Sequence, residues 1–341
     1  MFNNIQMLRA VAAAMVFFFH ADPHYQALRG AGRLFSSIAS FGFAGVDIFF
    51  VISGFVVAHT TLERSRNLTS AWKFARRRVL RIYLGYWPFL ALTLLLAYLY
   101  TPEALAEFDL LRSFFLATID AKRTAVYVAW SLSFELLFYA TVTATFVLPA
   151  VLMKRASYTT AIVVFGVLLW TLGVPHNTAM MFLSFSLEFL VGFVVYIHRQ
   201  KFCSMWLIGP LAMVVIAAFS AGVQWQANNG SLRILTFGTG AVALVMLALL
   251  AEQSRFLIAN KTWVALGDSS YTLYLFHPSL LTAFYWWGLR DFLAAQPEIW
   301  RDTGFFLLLA LGLWTSHHLY RMMERPLYRW ATTERGAKVP R

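Results

Sequence analysis

Gly42-Phe43-Ala44-Gly45-Val46-Asp47-Ile48-Phe49-Phe50-Val51-Ile52-Ser53-Gly54-Phe55-Val56-Val57 is apolar enough for a lipid bilayer, yet it carries a carboxylate, a hydroxyl and three glycines. A carboxylate at bilayer depth costs about 2.5–3.5 kcal/mol on insertion scales, so Asp47 needs a partner or a task. Glycines let a second backbone approach closely. Asp47 and Gly54 are seven residues apart and share a face if the stretch is a helix. It reads either as a helix-packing seam with a satisfied Asp or as part of a functional site, and the flanking segments must decide.

The whole chain matches this stretch in character. Of 341 residues, 60% are hydrophobic and only 13% charged, against about 25% charged in a soluble domain. The apolar runs are about 17–25 residues long and do not alternate, which predicts membrane-spanning helices rather than strands. The fold class is therefore all-α and polytopic, with about ten spans, short loops and no sizeable soluble domain. The net charge of +12 would suggest nucleic acid in a soluble protein. Here the basic residues fall between spans, as the positive-inside rule requires, and nucleic acid is not an expected partner. Some of them are placed to meet an anionic substrate. The single cysteine, Cys203, excludes an intramolecular disulfide and a multi-cysteine metal site. No metal is expected, and no cleavable signal peptide, since the first apolar run lacks a basic leader.

The expected spans are Ile5–Ala21, Phe41–Leu62, Ile82–Tyr100, Ala129–Met153, Tyr158–Gly173, Ala179–Ile197, Met205–Gly222, Leu232–Ala251, Tyr271–Leu289 and Thr303–Arg321. Residues 1–330 form one membrane-embedded domain, and 331–341 a basic cytoplasmic tail expected to be disordered. The segment Glu63–Arg81 is the most basic, with Arg64, Arg66, Lys73, Arg76, Arg77, Arg78 and Arg81. Placing it in the cytoplasm puts nineteen lysines and arginines on that side and eight, Arg233 among them, on the other. This predicts both termini inside. Pro88 is a candidate kink in the third span.

Four polar groupings stand out. Arg9 and His20 lie eleven residues apart, within about 20° of one helix face and about 16 Å along the axis. Arg9 could merely snorkel, and a lone His such as His20 is more often a satisfied structural residue than a catalyst, with a site as the other reading. In the second grouping, Arg77 and Arg81 (i,i+4) and Arg78 and Arg81 (i,i+3) converge. With Arg76 they are either a topology signal that touches anionic lipid or a phosphate clamp, because guanidinium forks match phosphate oxygens. A ligand with several phosphates, such as coenzyme A, would need such a cluster. Third, Ser131, Glu135 and Tyr139 recur every four residues after Trp130, and Glu135 wants a cation or imidazole on another span. Fourth, Tyr274 and His277 share a face just before Pro278. Glu188 is read as structural. The chain has no P-loop, Gly-x-Ser-x-Gly elbow or His-Glu-x-x-His helix.

Together these residues resemble the acyltransferase-3 family of integral membrane acyltransferases, and most of all its bacterial exopolysaccharide O-acetyltransferases. The matching segments are Asn4 to Ala13 with His20, Gly45 to Phe55, Arg76 to Tyr83 with Tyr86-Trp87, and Trp130-Ser131-Leu132 with Glu135 and Tyr139. Further on they are Ser270-Tyr271 with Tyr274-Leu275 and His277-Pro278, then Glu324-Arg325-Pro326. One departure is Leu84-Gly85, where the pattern has a proline after Ile82-Tyr83. No hydrolase-like periplasmic domain is fused, so transfer is expected to rest on the membrane unit alone.

The resemblance implies a multi-pass protein of the bacterial inner membrane. It implies acetyl-CoA as cytoplasmic donor (a co-substrate) and a sugar hydroxyl of an exopolysaccharide, lipopolysaccharide or lipid-linked glycan precursor as acceptor. It implies His20 as the catalytic residue, acting as general base or transient acetyl carrier. Glu135 or Asp47 would orient its imidazole, as a carboxylate does in a triad. Arg9, Arg76, Arg77, Arg78 and Arg81 would hold the donor, and Trp130, Ser131, Tyr139, Tyr274 and His277 would meet substrate. Two other classes compete. A proton-coupled transporter or flippase would use Asp47, Glu135 and His277 as a relay, although no paired repeats support it. A scaffold would use the polar groups only as interhelical glue.

Overall fold

The computed structural model describes residues 2–28, 33–117, 123–147, 176–201, 204–227 and 230–333. Every regular element among them is helical. The main helices are α1 (Asn3–Gln26), α2 (Gly45–Thr61), α3 (Leu68–Tyr100), α4 (Trp130–Thr145), α5 (His176–His198) and α6 (Ile208–Gln224). They continue with α7 (Thr239–Gln253), α8 (Lys261–Asp268), α9 (Ser270–Trp286), α10 (Glu298–Leu319) and α11 (Arg325–Thr332).

Six helical runs among the described residues are long and apolar enough to cross a bilayer: Asn3–Gln26, Leu34–Thr61, Leu68–Tyr100, Met181–Lys201, Met205–Gln224 and Ile234–Gln253. They overlap the expected spans 1, 2, 3, 6, 7 and 8. Helices α4, α9 and α10 occupy expected spans 4, 9 and 10, with 16, 17 and 22 residues. Expected span 5, Cys203 and residues 334–341 of the expected tail lie outside the described residues. Thr332 ends α11, so the first two tail residues are helical.

Helix α2, which carries the opening stretch, is apolar all round and is accordingly surrounded. Ile48, Val51, Val57 and Ala58 are fully buried. Its closest neighbour is α5. A Cβ on Gly54 would collide with the Phe189 carbonyl, and one on Gly192 with the Val51 carbonyl. Two glycines, one on each helix, thus let the backbones touch, the small-residue packing that membrane helices favour.

Helix α1 is fixed at its start by residues some 250 positions away. The Glu252 carboxylate accepts from the backbone N–H groups of Asn3 (2.9 Å) and Asn4 (2.8 Å). An anion there satisfies orphan donors and the positive end of the helix dipole. The Asn4 side chain donates to the Ala248 and Leu257 carbonyls and accepts from the Ala259 N–H. The far end of α1 enters a separate aromatic cluster with Phe17, Phe18, Tyr25, Phe35, Phe284 and Phe305, where Tyr25 donates to Asp302.

Helix α3 starts well before the third span expected from Ile82 and takes in most of the basic segment 63–81. Asn67 accepts from the Ser70 N–H (2.8 Å), and from Leu68 the chain is one helix of 33 residues through Pro88. At 1.5 Å per residue that is about 50 Å, well beyond a hydrocarbon core of about 30 Å, so its arginine-rich start projects past the bilayer. Gly85, at the departure from the family pattern, leaves room for the Tyr271 ring, whose hydroxyl donates to the Ile82 carbonyl at 2.9 Å.

Candidate active site

A cavity of about 600 Å³ opens between α1, α2, α3, α4 and α9. Helical spacing builds its walls. From α1 it takes Ile5, Gln6 and Arg9, spaced by three and four, with Phe2 just before the helix; from α4 it takes Ser131, Glu135 and Tyr139, spaced by four. The lining of α2 runs from Val46 to Thr60, fourteen residues or about 21 Å of helix. The cavity is therefore long and follows the helix axes.

Its charges are concentrated. Arg9, Arg64, Arg77, Arg78 and Arg81 all line it. Among the described residues none of these five has a carboxylate oxygen within 4.0 Å. Arg9 donates to Gln6 Oε1 at 3.1 Å. Arg78 donates to Thr60 Oγ1 at 3.0 Å and lies over the Phe74 and Tyr139 rings. Arg64, beyond the end of α2, is pushed below the usual guanidinium value by burial and then by Arg77 and Arg78. Like charges crowd one mouth, with the Glu135 carboxylate in the same lining, and an anionic ligand would relieve the remaining repulsion. Arg76 points elsewhere: its Nη2 donates to the Ala331 carbonyl at 2.6 Å, tying down α11. Glu324 accepts from Thr272 at 2.5 Å, and Tyr328 of α11 reaches the cavity.

The opposite end of the cavity holds hydroxyls and one carboxylate. Tyr274 and Ser131 share a hydrogen bond (2.7 Å), and both reach the Val128 carbonyl. Glu135 faces the cavity and accepts from Tyr139 and, at 3.4 Å, from Ser53. Trp130 packs on Phe134 and Phe185, outside the lining.

Just past Tyr274 lie the two histidines. The Tyr274 and His277 rings are 6.1 Å apart, and the His277 and His20 rings 5.1 Å. His277 Nε2 is 3.1 Å from His20 Nδ1. Tyr127 packs on His20 at 5.0 Å. The partner of His20 is thus an imidazole, and neither carboxylate expected to orient it is within hydrogen-bond reach.

Asp47 has another role. Its two oxygens accept from Arg233 Nε (2.8 Å) and Nη2 (2.7 Å), a bidentate pair at 0% and 3% exposure. The Arg233 guanidinium also lies 3.9 Å over the Phe43 ring. Arg233 was counted among the basic residues of the outer side; its burial beside Asp47 removes it from that count. Glu188 is buried beside this pair. Asp47, Glu135 and His277 accordingly sit in three separate hydrogen-bond groups rather than in one relay. Tyr127 and Arg233 were missed by sequence reasoning. A lone arginine at the head of an apolar span, with an unpaired carboxylate in another, was the available signal for the second.

The acyltransferase-3 profile, described as an acyltransferase domain, matches residues 2–318. The chain belongs to the acyltransferase-3 family. It is similar to the exopolysaccharide production protein ExoZ of Rhizobium meliloti (strain 1021), with 29% identity over 301 residues, covering 84% of this chain and 90% of that protein. No solved structure matches it. The protein is therefore a membrane acyltransferase, and the arginine cavity and histidine pair are its candidate active site.

Proposed function

We propose that the protein is an O-acetyltransferase that moves an acetyl group from cytoplasmic acetyl-CoA to a sugar hydroxyl of an exopolysaccharide, lipopolysaccharide or lipid-linked glycan precursor. The carrying observation is the elongated cavity lined by five arginines, none of which has a carboxylate oxygen within 4.0 Å among the described residues. Coenzyme A offers several phosphates to such a mouth and a slender arm to such a channel. Arg77, Arg78 and Arg81, with Arg9 and Arg64, hold the phosphates, and the thioester runs toward Ser131 and Tyr274. The match to an exopolysaccharide production protein supports the acceptor class.

In this reading His20 serves the transfer. Its Nε2 takes the proton of the sugar hydroxyl as that oxygen bonds to the acetyl carbon. The C–S bond breaks, and the departing sulfur takes the proton back from Nε2, so the step balances. The same Nε2 can instead carry the acetyl group between donor and acceptor. The reading includes ten spans in a bacterial inner membrane with both termini cytoplasmic. The arginine mouth then opens inward, and His20 lies toward the outer face. The test is protein in nanodiscs given acetyl-CoA and a glycan acceptor, with glycan mass spectrometry of a deletion strain. Release of coenzyme A thiol that depends on acceptor, and loss of an acetyl increment from the glycan, are expected. An unchanged glycan and no thiol release would refute the reading.

A further inference from the structure

The hydrogens of the two histidines follow from the acceptors around them. His277 Nδ1 lies 3.2 Å from the Leu273 carbonyl. A carbonyl oxygen only accepts, so Nδ1 carries the hydrogen and Nε2 of the neutral ring keeps a lone pair. That lone pair lies 3.1 Å from His20 Nδ1, which is also 3.0 Å from the Val16 carbonyl. Two acceptors converge on His20 Nδ1, so it carries a shared hydrogen. The lone pair of His20 is left on Nε2, the atom that transfer requires. Both rings sit among aromatic contacts, Tyr127 against both histidines and Phe17 against His277. His277 is fully buried and does not line the arginine cavity.

We propose that His277 is the positioning residue of the transfer: by accepting from His20 Nδ1–H it fixes the rotation of the His20 ring, presents Nε2 to the reacting hydroxyl, and stabilises the cation formed when Nε2 takes a proton or an acetyl group. The role is that of a triad carboxylate, filled by a neutral imidazole. It differs from a substrate contact, which would raise KM. The inference rests on the assignment of His20 made above.

The matched variants are His277→Asn and His277→Gln. Asparagine keeps an amide near the Nδ1 position and leaves nothing where Nε2 was; glutamine puts an amide oxygen there. Misplacing a reacting group costs about a hundredfold. We expect His277→Asn to lose about that much kcat with KM for acetyl-CoA unchanged, and His277→Gln to recover most of it. A second readout needs no turnover: in protein labelled with 15N-histidine, a coupling across the N–H···N hydrogen bond should join His20 to His277 and vanish in His277→Asn. Wild-type kcat in His277→Asn, equal losses in both variants with raised KM, or no coupling in the wild type would each overturn the inference. A coupling present in a wild type that transfers no acetyl group would refute the acetyl reading while upholding the hydrogen bond.

Discussion

Asp47 and Arg233, 186 residues apart in sequence, form a two-pronged ion pair that is almost wholly buried. It joins the head of α2 to the π-helical turn Ile234–Gly238 that leads into α7. Removing one partner of a buried pair strands the other charge and costs about 3–5 kcal/mol. Asp47→Leu and Arg233→Met should each lower unfolding stability in detergent by that order, and the double variant should lose much less than their sum. Additive losses in this cycle would show that the pair does not couple α2 to α7.

The α2–α5 contact predicts a contrast among glycines. Gly54→Ala and Gly192→Ala each place a methyl against a backbone carbonyl, so both should unfold at lower temperature than the parent. Gly209→Ala, where a Cβ meets nothing within 4 Å, should be neutral or stabilise, since alanine favours helix over glycine by about 1 kcal/mol. Equal melting temperatures for all three variants would contradict the close approach.

These two features mark how far the sequence could be read. The intramembrane carboxylate and the glycines were visible in 42–57, because charge and absent side chains are rare at bilayer depth. Their partners were not: Arg233 and Gly192 lie in other spans, and helix order in space is not written in local periodicity. Arg77, Arg78 and Arg81 were legible as a converging set, as were Ser131, Glu135 and Tyr139, because helical spacing alone puts each set on one face; that Arg9 of α1 joins the arginines was not legible. Arg76, adjacent in sequence, turns away to Ala331 because neighbours on a helix point about 100° apart. The pairing of His20 with His277 joins α1 to α9, and nothing within either segment reports it.

The proposed binding of acetyl-CoA in the arginine cavity predicts graded losses. Arg77→Ala, Arg78→Ala and Arg81→Ala should each weaken acetyl-CoA binding roughly ten- to a hundredfold, since a charged hydrogen bond contributes about 1.5–3 kcal/mol. Affinity should also fall as salt rises. Arg76→Ala should weaken binding less than the other three. Calorimetry with coenzyme A, which shares the phosphates, measures all four; unchanged affinity in the first three would reduce the cluster to a topology signal.

Topology can be checked from outside the cell. After Cys203→Ser, a cysteine replacing Ser65 should be shielded from an impermeant thiol reagent, and one replacing Glu298 should react. Both side chains are exposed in the structure, so burial cannot mimic the result. The reverse pattern would invert the orientation and turn the arginine mouth away from the proposed cytoplasmic donor.

The central claim is that His20 Nε2 carries the chemistry, and the most direct measurement is acetyl transfer by His20→Ala in reconstituted membranes. Loss of a general base costs about a hundred- to ten-thousandfold. The account predicts a folded variant that binds acetyl-CoA as the parent does, because His20 is outside the cavity lining, yet transfers no detectable acetyl group. Incubating the parent with acetyl-CoA and no acceptor then separates the two roles, since only a carrier leaves an acetylated protein. A well-folded His20→Ala that acetylates its glycan at the parental rate would contradict the account.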